Sequence, residues 1–171
     1  MPAKKYIALV NGRLQEQQAT VTSSGAADDG KIVALDSSGR LDASVLPVGI
    51  GADTATIMAS EALAAGDFVN IHNVSGSPRV RKADASTAGK EAHGFVLSAV
   101  AAGANAMVYF EGQNTQVTGK TPGSRQYLSA TTPGATTETP PTGSGNVVQC
   151  LGVAVSDTSI STEIEDGVIL A

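Results

Sequence analysis

The sequence predicts a mostly β protein: an N-terminal hairpin and extended segment, followed by an antiparallel β-barrel or β-sandwich module. Three observations carry this. Apolar runs are short and separated by turn residues, Asn-Gly and Pro-Gly pairs stand between such runs, and no stretch keeps a helical period long enough to pack as a layer. The helix candidates, SEALAAGD and ADASTAGKEA, allow one turn each, the second with a cap at Asp84 or Ser86.

Taken in order, YIALV at residues 6–10, Asn11-Gly12 and RLQEQ form the strongest local signal, because Asn-Gly supplies the positive φ angles of a two-residue type I′ turn. The second arm, residues 13–22, has only Leu14, Ala19 and Val21 as apolar residues, which makes it an edge. SSGAADDG reads as a loop. KIVAL and RLDASVL are apolar runs around an Asp36-Ser37-Ser38-Gly39 turn, and Pro47, Gly49 and Gly51 stop any regular element. The texture then becomes denser, so the predicted organisation is an N-terminal region at residues 1–51 and a module at 52–171.

Within the module, DFVNIHN alternates, with Val69 and Ile71 on one face and Phe68, Asn70 and His72 on the other. PRVRKAD places Val80 inward and Arg79 and Arg81 outward. GFVLSAV, AMVYF and, apart from Gln149, VVQCLGVAV are apolar on both faces and read as central strands. Pro122-Gly123 and Pro133-Gly134 predict type II corners, where Pro presets φ and Gly takes the positive φ that follows. The second corner makes YLSAT and ATTET a hairpin and leaves PPTGSG as mobile loop.

Composition bounds the function. The chain of 171 residues allows one modest domain plus an appendage, with 4% aromatic and 16% charged residues giving only a thin core. Ordering each residue costs about 1–2 kcal/mol of backbone entropy, so association with other chains is expected. A formal charge of −5 argues against nucleic acid as a partner, since phosphate binding needs a basic face. The N-terminal apolar run of five residues is too short for a signal peptide or a membrane span, so a soluble protein without an export signal is expected. Cys150, the single cysteine, lies in an apolar run and reads as a small buried hydrophobe.

No catalytic constellation emerges. GKT at residues 119–121 resembles the end of a phosphate-binding loop, but Asn114 stands where that motif needs glycine and Pro122 follows where its helix should begin. His72 and His93 have no Cys or acidic residues at metal-ligand spacing. Asp36, Ser38 and Asp42 echo a calcium loop, yet Pro47 occupies the position of its bidentate glutamate. Asp28-Asp29 and Glu165-Asp166 are paired carboxylates in loops. Neither cofactor nor metal is expected, and too few aromatics are present to build a carbohydrate-active cleft.

GKIVALDSSGRLDASVLPVGIGADT resembles the connector near the N-termini of tailed-bacteriophage fibre and head-decoration proteins, with its Gly-Lys-Ile strand, Asp-x-x-Gly turn, LDxSxLP run and glycine-rich exit. ASEALAAGDFVNI, VRKADASTAGKEAHGFVLSAV, YFEGQNTQVTG and the stretch from TPGSRQYLSA to VVQCLGVAVS resemble a β module of phage virion proteins, capsid cement and head-fibre proteins among them. Together these blocks cover about residues 31–170, and they fit head and tail attachment alike. The resemblance implies no enzyme activity, a homotrimer and a place on the outer capsid surface, after synthesis in the host cytoplasm, with the major capsid protein as partner. Residues 1–51 then become an anchor, docking through Tyr6, Ile7, Leu9, Leu41, Val45 and Leu46 by strand addition or by insertion into a groove. The alternative is a tail-fibre adhesin whose outer loops meet a host surface glycan.

Overall fold

A computed structural model describes residues 4–46 and 51–171. The chain divides into two compact units, Met1–Gly51 and Ala52–Ala171. It is mostly β, built from antiparallel sheets, with no α-helix among the described residues.

In the first unit, β1 (Lys5–Val10) and β2 (Arg13–Gln18) form the predicted hairpin. Asn11 and Gly12 turn it with φ of 51° and 75°, the left-handed pair that a type I′ turn requires. The second arm stops at Gln18, short of the expected Thr22. Beyond it the two apolar runs are shaped by local side-chain chemistry rather than by strand pairing. KIVAL forms one parallel bridge, Val33 to Thr20, and no strand, because nothing else aligns with its backbone. SSGAADDG contains a 3-10 turn at Gly25–Asp28, and RLDASVL becomes a 3-10 turn at Ala43–Val45. Asp42 caps the latter by accepting from the Ser44 amide at 2.9 Å, and Asp36 closes its own turn by accepting from the Ser38 and Arg40 amides. Pro47 and Gly49, the expected stop signals, lie outside the described residues.

The second unit contains β3 (Thr54–Met58), β4 (Phe68–Val74), β5 (Ser77–Lys82), β6 (Gly94–Phe95), β7 (Asn105–Tyr109), β8 (Gly112–Asn114), β9 (Arg125–Leu128), β10 (Thr136–Thr137), β11 (Val147–Val148), β12 (Cys150–Ser156), β13 (Ser159–Thr162) and β14 (Val168–Ile169). One sheet has the order β3-β7-β6-β4-β5, the other β10-β9-β12-β13-β8, and β11 pairs with β14. The edges of the first sheet meet at a single bridge, Ala59 to Val80. No sheet closes into a barrel.

Alternation along β4 explains how the core is divided. Phe68 joins Phe95, Leu128, Leu151 and Ile160, drawn from both five-stranded sheets, while Val69 joins Val80, Val96 and Val108 in a second cluster. Each such side chain gains about 1.5–3 kcal/mol from burial. Phe95 lies 5.9 Å from the Phe68 ring and 5.6 Å from that of Tyr109. Both Pro-Gly corners form as predicted, with Gly123 and Gly134 at φ of 85° and 82° and closing bonds from Ser124 N to Thr121 O and from Ala135 N to Thr132 O. The β9–β10 hairpin follows, and the 140–145 loop beyond it is tied at its far end by the bond from Gly145 N to Leu170 O.

Several expectations need correction. Neither helix candidate is helical; Asp84 instead holds an Asx turn by accepting from the Ser86 amide at 2.9 Å. Arg81 lies on the face opposite Val80, as expected, but is half-buried rather than free in solvent. Its Nε donates to Asn70 Oδ1 at 3.0 Å and its Nη2 to Gly89 O at 2.9 Å, because it stands opposite the buried Asn70 beneath the loop that follows β5. AMVYF and the end of VVQCLGVAV are covered on one face only, leaving Met107, Val153 and Val155 exposed.

Candidate docking surface

No described residue of the first unit is buried, although it exposes Ile7, Leu9, Leu14, Ile32, Val33, Leu35 and Leu41. Its form is held instead by polar bonds: Ser23 N to Ser44 Oγ, Lys4 Nζ to Leu35 O, and the Lys31–Asp28 ion pair. The Lys31 ammonium, followed by the Ser24 amide, holds the Asp28 carboxyl below its ordinary range, and bonds from Ser44 do the same for Asp42.

The hairpin register decides which side chains act together. Leu9 stands directly opposite Leu14, and Ile7 opposite Glu16, so Ile7, Leu9 and Leu14 share one face at 63%, 70% and 76% exposure. Beside them Lys5 pairs with Glu16. Tyr6 lies on the opposite face by alternation, half-buried. Leu41 is exposed on the connector, and Val45 and Leu46 line a shallow pocket of about 350 Å³ with Val33 and the Asp28–Lys31 pair. The structure thus brings Ile7 and Leu9 together and Val45 and Leu46 together, and divides Tyr6 from both. Leu14, the most exposed of these side chains, carries a signal the sequence did contain: its place two residues past the Asn-Gly turn puts it across from Leu9.

The residues singled out for chemistry occupy structural positions. The Thr121 amide donates to Glu138 Oε1 at 2.7 Å, so a carboxylate of the chain itself takes the place a phosphate oxygen would need. That bond and the one from Ser124 Oγ hold the Glu138 carboxyl low. Lys120 donates to Thr136 O, and burial, opposed by the Glu138 charge, lowers its ammonium pKa. His93 Nδ1 accepts from the Ile71 amide at 2.9 Å. His72 Nδ1 is shielded from water and has no hydrogen-bond partner among the described residues, and burial, then the Arg81 charge, holds its imidazole below the ordinary value. Cys150 is buried on β12. Among the described residues no group of three His, Cys, Asp or Glu side chains is placed to hold a metal ion.

No family model, curated protein or solved structure matches the chain.

Proposed function

We propose that the protein is a structural virion component that decorates and stabilises a bacteriophage capsid without catalysis, with its N-terminal unit docking on the major capsid protein and its β module, a sandwich of two packed sheets, assembling as a homotrimer. The observation that supports docking is the first unit's composition of exposed faces: seven large apolar side chains lie open and not one described residue is buried. A segment of this kind is completed by a partner's surface, and a β-hairpin with an apolar face and free edges suits strand addition or groove insertion. The capsid as that partner rests on the resemblance of residues 31–170 to phage connector and cement sequences. The thin core supports association, since six of the eighteen buried apolar residues of the second unit are alanines.

The test compares the full chain with a variant beginning at Ala52. Light scattering of the full chain at micromolar concentration should give three times the chain mass, and the full chain should co-sediment with undecorated capsids. The shortened chain should fold and stay in the supernatant. Retention of the shortened chain on capsids would move docking to the β module, and binding of the full chain to tails or to host glycan instead would support the adhesin reading.

A further inference from the structure

The second unit holds a cleft of about 880 Å³ lined by residues 91–93, 110–112 and 161–167 with Gln149 as one wall-to-wall tie. Its origin lies in the ladder. At Thr162, β13 is paired with Gly152 of β12 on one side and with Gly112 of β8 on the other. Past Thr162 only the β12 side continues, through Glu163 N to Leu151 O and Glu165 N to Cys150 O, each at 3.0 Å. The neighbour on the other side is lost because the chain entering β8 departs, Phe110 donating to Asp53 O. Alternate amides of an extended chain face opposite edges. Those of Ile164 and Asp166 therefore face away from β12, and they have no hydrogen-bond partner among the described residues.

Two further features make this edge a preformed seat. Gln149, 3% exposed, donates through Nε2 to Ala92 O and Glu165 O and accepts from Ala92 N through Oε1, which fixes the spacing of the two walls. The lining also carries Glu91, Glu111, Glu163, Glu165 and Asp166 and no lysine or arginine. The backbone edge calls for an extended chain and the carboxylates call for cations on it.

We propose that this cleft binds an extended, lysine- or arginine-bearing peptide segment of a partner protein, which adds as a strand to the open edge of residues 163–167 while its cations face the surrounding carboxylates. The surface belongs to the second unit alone and stands or falls separately from docking through the hairpin.

The probe is a fluorescein-labelled heptapeptide alternating lysine and threonine, titrated into the full-length protein at low salt and followed by anisotropy. Saturable one-to-one binding is expected. It should weaken at least about tenfold in Glu163→Gln/Glu165→Gln/Asp166→Asn, whose side chains are exposed, and by a similar factor when alternate backbone nitrogens of the peptide are methylated at unchanged charge. In the unaltered protein the peptide should also slow hydrogen exchange at the Ile164 and Asp166 amides, a readout that needs no variant. Undiminished binding of the methylated peptide would reduce the effect to charge attraction and overturn the proposal. So would unchanged exchange at those amides, or the absence of saturable binding.

Discussion

The two units solve the same problem with different means. In the second, both faces of β4 are covered over residues 68–70, and Phe68, Phe95, Leu128, Leu151 and Ile160 are all fully buried in one cluster. In the first, turns and caps fix the backbone while seven large apolar side chains stay in solvent. Polar bonds that compete with water contribute only about 0.5–1.5 kcal/mol each, against about 1.5–3 kcal/mol for each buried apolar side chain. A chain can therefore acquire a shape from turn chemistry without acquiring the stability that burial supplies.

The contrast breaks most sharply under truncation of matched residues. Leu151→Ala should cost about 2–5 kcal/mol of unfolding free energy in a urea titration, through lost transfer energy and the cavity left behind. Leu14→Ala should change it by less than about 0.5 kcal/mol, as a surface substitution does. Equal losses would mean that the hairpin belongs to the cooperative core. Amide exchange should divide the same way, with residues 5–18 exchanging far faster than β4 and β12.

Gly152 tests the packed unit at its backbone. It has φ of 136°, and a Cβ there would lie 2.0 Å from Ser161 O, beside the register shift that curves β12 between its neighbours. Gly152→Ala should destabilise by more than about 1 kcal/mol in the same titration, because neither the dihedral nor the approach tolerates a side chain.

How much of this was legible in the sequence follows the range of the interactions. Asn11-Gly12, Pro122-Gly123 and Pro133-Gly134 were readable because a turn is decided by the residues that make it. Ser75-Gly76, which turns β4 into β5 with φ of 52° and 83°, carries the same kind of signal. KIVAL misled because a strand needs a partner and its apolar content says nothing about one. Met107 and Val153 misled because a run apolar on both faces looks the same whether one face or two are covered. The cleft was illegible, since its walls come from residues 91–93, 110–112 and 161–167, and only the sheet order places Glu165-Asp166 beside Glu91. Of the anchor residues, the pairing of Ile7 with Leu9 followed from alternation, which also should have separated Tyr6.

Smaller effects sharpen the comparison. Asp42→Ala removes the bond to the Ser44 amide and should loosen this turn locally, seen as faster exchange at Ser44 to Leu46 with an unchanged global midpoint. His72 gives the packed unit a pH dependence. Its folded pKa is lowered by burial and then by Arg81, so below the ordinary value of 6.5 the unfolded chain takes up a proton that the folded chain refuses. The stability concerned is present in full above about pH 6.5 and is lost as pH falls from there through the lower folded value. Melting temperature should fall between pH 7 and 5, and His72→Gln should flatten part of that fall.

The most direct measurement of docking through the hairpin uses Leu9→Asp/Leu14→Asp, which places two carboxylates on its apolar face. In co-sedimentation with undecorated capsids this variant should stay in the supernatant, because each leucine that docking would bury, worth about 1.5–3 kcal/mol, is replaced by a charge that must be desolvated. Its unfolding midpoint should match that of the unaltered protein. Full capsid binding by a folded Leu9→Asp/Leu14→Asp protein would contradict the assignment of the hairpin face as the anchor.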